Sequence, residues 1–485
     1  MIKRKLVFVL MLIILATSIA EPADAQFWKK KAERMHRQHG QNTGRNNTLG
    51  DNKPLSRREV RNLRKEQKKK EKQERKKLKR DRKKLKRDCR KQKHINTAKV
   101  EMESANAPVV SVKKAEDGYP LTKMKDRYRV DILAPMYLDE LVNGESVTFK
   151  NKIPEKAEPG LAFYEGILIA ADSLKNAGFN IDIYMHDIVS ATETPEKLIA
   201  QKKLDSADLV IGAVQPHDIQ ILAAYAKKKQ VNFISAASSG DGGVKNNAYF
   251  TLMQPSLKSH CEWIAGNVAI KFPGMNIALL YRTSVQADEN AYKYMTGDNI
   301  YHVHYRELLC NSLPGKERLD ELFDTTKPNI VIVSILDPGY ADSLLTILSR
   351  DFPSTHFEVY GMPSWNSIND LRKEDMFPNL SVNVTTPFHV GLSSAVAKYV
   401  TRTYKKDYNG KVPEMVYRGY ETMFWYANLL KRYGTIFNVK YEDNTTAPFT
   451  SFEIKPRLDK NGNILYYENK HVFLSKYEGG IYKTE

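Results

Sequence analysis

Cysteine is scarce: Cys89, Cys261 and Cys310 are the three in 485 residues, too few for a disulfide framework. A chain of this length must therefore hold itself together by burying apolar side chains, in one large core or two ordinary ones. Cys261 and Cys310 read either as a pair joined in an oxidising compartment or as two separate buried thiols, while Cys89 could cross-link two copies. Long apolar runs are missing as well, since the run at residues 6–16 falls short of the about 20 residues a spanning helix needs. Catalytic signatures are also lacking: there is no P-loop, G-x-S-x-G, H-E-x-x-H or paired-carboxylate motif. Serine, histidine and aspartate are plentiful, but spacing alone assembles no triad. His302-x-His304 is the one metal-ligand spacing; alternation along a strand would put both rings on one face, and zinc would still lack a third ligand. The residues point to no enzyme, no cofactor and no metal.

Acidic charge is thin at the N-terminal end. Residues 1–50 carry 9 Lys+Arg against 3 Asp+Glu, residues 51–100 carry 24 against 7, and the rest carries 43 against 47. The formal net charge of +19 therefore belongs to an arm, and the remainder is mildly acidic. Lys3, Arg4 and Lys5, then the apolar run, then Ala23-Asp24-Ala25 before Gln26 follow the order of a cleaved secretory signal peptide, which predicts export to the periplasm.

Residues 26–53 show no apolar period and are predicted to be disordered. Ser56-Arg57-Arg58-Glu59 forms a capping box, with Leu55 and Val60 as its staple, and opens a helix predicted to run to about residue 93. Within it KKLKRDR recurs as KKLKRDC, but Leu78 and Leu85 alone cannot make a coiled-coil seam. This basic helix reads as a spacer or as a surface for anionic lipid, phosphorylated glycan or peptidoglycan in the envelope. Export and the absence of interleaved aromatic side chains argue against nucleic acid. Residues 94–127 read as a linker.

From Tyr128 the pattern becomes alternating. A strand at 129–134, a helix at 162–177 stopped by Gly178 and a strand at 181–184 come first, with 138–160 as an unusually long connection, either a lid or disordered. Residues 208–240 then form one right-handed βαβ unit. Leu209, Val210 and Ile211 make a buried strand, and Pro216 sits where a helix begins, because its missing N–H costs nothing there. Ile219, Leu222, Ala223 and Ala226 line the apolar face, and Lys227, Lys228 and Lys229 complement the dipole at its end. Both exit loops leave the carboxyl ends of neighbouring parallel strands, where open α/β sheets bind ligands. Strand and helix alternate again from 249 to 360, with a strand at 301–308, and predict a second parallel sheet. Helices at 393–408 and 417–433 and short strands at 449–454, 464–467 and 472–475 follow.

Five pieces, taken in order, carry a resemblance: FYEGILIAADSLKNAGFNIDIYMHD, DLVIGAVQPHDIQILAAYAKKKQVNFISAASS, NAYFTLMQPSLKSHCEWIAGNVAIKFPGMNIALLY, KPNIVIVSILDPGYADSLLTILSR and KVPEMVYRGYETMFWYANLLKRYG. Over about residues 128–485 the chain resembles the type I periplasmic binding proteins, in particular the leucine-binding branch. The FYEGILIAADSLKNAG wording is also similar to Bacteroidetes envelope proteins that join this fold to a peptidoglycan-binding module. The resemblance implies an α/β architecture of two Rossmann-like lobes with hinge crossings, preceded here by the basic helical arm. Lobe 1 would take 128–250 plus 387–432, and lobe 2 would take 251–386 plus 433–485.

It also implies a site. Lobe 1 of the family holds a carboxylate on backbone N–H groups and hydroxyls, onto which Gln215, Ala237, Ser238 and Ser239 map. Asp218 in the same helical turn already complements the dipole, so an anion should bind there less well than in amino-acid receptors. Plain capping and turn roles are the alternatives for Gln215 and the serines. His217 is either a ligand contact or a solvated side chain. In lobe 2 Asp337, Tyr340, Ser364 and Trp365 follow the middle strands, but the acid that would hold an ammonium group is absent from the second loop. Asp337 either substitutes for it or forms a turn, and Trp365 either stacks on a ligand or covers the hinge. The expected protein is an exported receptor for a small polar ligand, with a transporter or envelope protein as its partner. The alternative is an envelope scaffold or regulator contacting peptidoglycan or another protein.

Overall fold

The computed structural model describes residues 119–484, apart from 144–145, 150–151, 276, 298–300, 409, 442–447 and 450–451. The expectations for the signal peptide, the disordered stretch, the basic helix, Cys89 and the linker up to residue 118 lie outside the described residues.

The first half of the fold alternates as β1 (Tyr128–Ala134), α1 (Leu138–Leu141), β2 (Val142–Asn143), β3 (Ser146–Val147), α2 (Glu158–Asn176), β4 (Ile181–Asp187), α3 (Pro195–Ala200), β5 (Leu209–Gly212), α4 (Pro216–Lys229), β6 (Asn232–Ser235) and β7 (Phe250–Leu252). The second half runs α5 (Leu257–Lys271), β8 (Ile277–Tyr281), α6 (Gln286–Thr296), β9 (Tyr305–Leu309), α7 (Lys316–Asp320), β10 (Asn329–Val333), α8 (Pro338–Asp351), β11 (Phe357–Gly361) and β12 (Leu380–Thr386). Then come α9 (Ala395–Tyr408), α10 (Glu414–Tyr433) and the strands β13 (Ile454–Leu458), β14 (Ile464–Asn469), β15 (Phe473–Glu478) and β16 (Ile481–Thr484).

Strand pairing makes two seven-stranded sheets. One has the order β13-β14-β7-β6-β5-β1-β4, the other β16-β15-β12-β11-β10-β8-β9. The βαβ unit forms as the sequence predicts: β5 and β6 pair in parallel with Leu209 opposite Asn232, and α4 crosses between them. Both strands are buried throughout, as central strands covered on two faces must be. The second parallel sheet is equally apolar, with Ile330, Val331, Ile332 and Val333 at its centre.

Helices α9 and α10 return to the first lobe, where Trp425, Tyr426 and Phe437 join its core. Close approach of α10 to α2 depends on glycine: a Cβ on Gly166 would strike the Val416 carbonyl, and one on Gly419 would strike that of Phe163. Two of the pieces that carry the family resemblance dock on each other at these positions.

Three expectations are corrected. The ordered chain starts before Tyr128: Thr122 donates to the Tyr433 carbonyl at 2.6 Å, Lys123 and Thr435 bond each other, and Lys125 pairs with Asp208 at 2.6 Å. Residues 119–127 are a strap on lobe 1 rather than a linker. The tail does not belong wholly to lobe 2, because β13 and β14 extend the first sheet beside β7, and only β15 and β16 extend the second. The chain consequently crosses between lobes at 253–256, 387–394 and 470–472. His302 sits in a left-handed turn (φ 51°) ahead of β9, so strand alternation does not set the two histidine rings on one face. The 138–160 connection, which the sequence left undecided, holds α1 and the β2–β3 hairpin. Cys261 and Cys310 are free and buried.

Candidate functional site

The two loops of the βαβ unit come together at the carboxyl edge of the first sheet. Gly240 lies against the ring of Pro216. Gln215 is the exposed residue preceding α4, and its side chain makes no capping bond. Ala237 is half-buried and Ser239 is exposed, whereas the Ser238 hydroxyl closes the turn by accepting from the Gly240 amide at 3.1 Å. His217 is 80% exposed, and its Nε2 lies 3.9 Å from Glu196. Asp218 is held above the usual carboxylate range, mainly by burial. Two carboxylates at this helix start leave it poorly suited to an anion.

The lobe-2 residues are committed to their own lobe. Asp337 caps α8, accepting from the Gly339 and Tyr340 amides at 2.9 and 3.3 Å. The Tyr340 hydroxyl lies 2.9 Å from the carbonyls of both Cys310 and Ser312. Ser364 donates to the Leu336 carbonyl. Trp365 is 0% exposed and donates its indole N–H to Ile335 at 2.8 Å, so it is a core side chain and neither stacks on a ligand nor covers the hinge. Sequence reasoning missed the group that organises these loops. Arg282, at the end of β8, pairs with buried Asp288 at 2.6 Å and covers the Tyr340 ring, while Asp288 accepts from the Leu336 amide at 2.8 Å. Among the described residues no hydrogen bond or ion pair joins the lobe-1 set to the lobe-2 set, and no His, Cys, Asp or Glu cluster is placed to hold a metal.

A cavity of about 1380 Å³ lies beside the 387–394 crossing. One wall is α9, with Lys398, Arg402 and Lys405, and the loop to α10, with Lys411; the other is lobe 2, with Arg372, Tyr477 and Tyr482. Its floor is fixed by hydrogen bonds: Tyr477 donates to Asn366 at 2.9 Å, and the Thr401 and Tyr417 hydroxyls meet at 2.7 Å. The helix wall was legible in principle, because Lys398, Arg402 and Lys405 recur at helical spacing and share one stripe of α9. Arg372 and the two tyrosines arrive from distant parts of the chain and gave no local signal.

Two α/β lobes joined by three chain crossings define the class: the fold is that of the type I periplasmic binding proteins. Among solved structures, the chain is similar to a Rhodospirillum rubrum protein assigned to branched-chain amino acid ABC transport, at 13% identity, 74% coverage of this chain, 99% of the other and a TM-score of 0.53. It is similar also to a branched-chain amino acid ABC transporter periplasmic ligand-binding protein from Burkholderia xenovorans, at 12% identity, 74% and 94% coverage and a TM-score of 0.50. LpoA from Haemophilus influenzae matches at 11% identity, 75% and 59% coverage and a TM-score of 0.49. At such identities the likeness is one of fold. No family model matches the chain, and no curated protein matches its sequence.

Proposed function

We propose that this protein is an exported, non-catalytic receptor that captures a small polar solute between its two lobes and passes it to a partner in the envelope, such as a transporter. The observation that carries the reading is the pair of lobes tied by three short crossings, an arrangement suited to hinge closure on a ligand. The neighbours in fold that are described as ligand-binding and ABC transport proteins support it. Gln215 and the loop from Ala237 to Ser239 supply the lobe-1 side of the cleft, mainly through backbone groups. His217 stands at its rim. Asp337, Tyr340, Ser364 and Trp365 shape the opposing side from within. The ligand is not a simple amino acid, since the negative helix start of lobe 1 repels a carboxylate. The basic segment at 54–93 holds the receptor against anionic lipid or peptidoglycan.

A thermal-shift screen of the full chain against sugars, peptides, organic acids and nucleosides tests the reading. One class should raise the melting temperature saturably, equivalent to about 2.7 kcal/mol at a hundredfold excess over Kd. Silence across the whole set would overturn it.

A further inference from the structure

The solute-capture reading leaves the cation-lined cavity unexplained. It lies at the β12–β15 side of the second sheet, whereas that sheet reverses its strand order at β8 between β9 and β10. Three strand spacings, about 14 Å in all, separate β8 at the switch point, where such sheets bind ligands, from β12, whose Thr386 lines the cavity.

Its charge is uncompensated. Among the described residues Lys398, Arg402, Lys405 and Lys411 have no ion-pair partner. Arg372 donates to the carbonyls of Asn366 and Ile368 at 2.8 and 3.2 Å and stacks over Tyr477, so it is pinned in place with its charge intact. The single carboxylate of the lining, Glu414, is already bound to Arg418 at 2.6 Å. Five cations thus face one cavity in a folded region that is otherwise mildly acidic. An anionic ligand complements such a concentration of positive charge.

The arrangement also selects the anion. Lys398, Arg402 and Lys405 spread over eight residues of α9, about 10 Å of helix, rather than converging on one point as a single phosphate would require. The cavity exceeds the roughly 300–1,000 Å³ typical of a drug-sized ligand. Aromatic faces interleave with the charges: Tyr482 is 46% exposed and packs against Tyr477 at 5.0 Å, and half-buried Phe388 lies under Arg418 at 4.7 Å. Rings of that kind receive the apolar faces of sugars. We propose that this cavity binds an acidic oligosaccharide, several rings long with repeated carboxylates, and that the glycan bridges the basic stripe of α9 to Arg372 and Tyr482 of the other lobe. The proposal rests on the two-lobed binding reading and adds to it a second site, for a longer and acidic ligand, apart from the solute cleft.

Isothermal titration of the full chain with tetragalacturonate at 0.15 M salt tests it, with maltotetraose as the uncharged match and tripolyphosphate as a compact polyanion. Tetragalacturonate should bind one to one. Arg402→Glu with Lys405→Glu should weaken it at least tenfold, Tyr482→Ala at least threefold, and Arg402→Lys with Lys405→Arg should restore most of the affinity at an unchanged melting temperature. Unchanged affinity in the charge-reversed chain would overturn the proposal, because the anion would then sit on the N-terminal basic segment. So would equal binding of maltotetraose or tripolyphosphate, or no saturable binding. A library solute that binds both chains normally while tetragalacturonate binds neither would remove the cavity and leave the receptor reading intact. Glycan binding at the cavity with no change in small-angle scattering would do the reverse.

Discussion

Glu165 lies on α2 among Tyr164, Tyr404 and Tyr408, and burial pushes its carboxyl up to about 7, with Glu158 adding repulsion and a hydrogen bond to Tyr404 opposing it. A folded value above the unfolded one means that the protonated form fits best. The contribution is therefore complete below the ordinary glutamate value of roughly 4.3 and is lost as pH rises through about 7. Glu165→Gln should match the parent at pH 4.5 and exceed it by on the order of 2 kcal/mol at pH 8, measured by urea unfolding at both pH values. A pH-independent difference would show that burial of the charge is not what shifts the group. His260 behaves oppositely. It is buried within 2.9 Å of the Thr385 hydroxyl, and desolvation pushes its imidazole down to about 4. Its contribution is complete above about 6.5 and is lost as pH falls toward 4. Single residues also show where sequence reading stops. Asp337, Tyr340 and Trp365 have the chemistry of ligand contacts, but their hydrogen bonds are spent on α8, on the Cys310 and Ser312 carbonyls and on Ile335. Residue type shows what a group can bond, and only its neighbours show what it does bond.

Among the elements, α2 and α10 approach each other closely, and their two glycines allow it. Because the obstructing atoms are backbone carbonyls, they cannot swing aside as a side chain would. Gly419→Ala should cost about 1–3 kcal/mol, as overpacking does, despite the better helix propensity of alanine. Gly178→Ala, at a left-handed helix end with open space around it, tests a different cause, since its cost would come from backbone strain alone. Chemical denaturation of the two variants separates them: a neutral Gly419→Ala would mean that the helices can part without loss. Local pattern was a good guide at this scale. The apolar face of α4, its proline start and its lysine end all follow from backbone geometry within a few residues. The basic stripe of α9 was equally local, but it acquires meaning only from the opposing wall.

Across the whole molecule, the three crossings are laced together by polar groups. Glu468, fully buried at the end of β14, accepts from the Ser256 amide at 2.8 Å and the Ser259 hydroxyl at 2.5 Å, and Lys470 and Arg457 approach at 3.2 and 3.5 Å. Asn469 donates to the Met253 carbonyl at 3.1 Å, and His260 joins this cluster to Thr385 at the head of the remaining crossing. Burial alone would raise the Glu468 carboxyl, but Lys470, the serine donors and Arg457 outweigh it and hold the group below the usual range. A depressed folded value gives stability that is present above the ordinary glutamate value and lost as pH falls through the folded one. Glu468→Gln should therefore cost about 3 kcal/mol at pH 7 and progressively less in acid. It should also speed proteolysis within 387–394 and 470–472. Unaltered cleavage with full loss of stability would place the network in the core of lobe 1 and not in the hinge.

The alternation of strands and helices and the βαβ unit were determined by the sequence alone, because the repeats of 2.0 and 3.6 residues and the turn chemistry act over short stretches of chain, while the two-lobed class came from the resemblance of five ordered pieces to a known family. Tertiary structure decided the rest. Whether a tail strand joins the first sheet or the second depends on which edge offers unpaired backbone groups, as β7 does to β14 and β12 to β15. Whether a polar side chain stays available depends on partners hundreds of residues away, and the cavity draws its two walls from segments that only folding brings face to face.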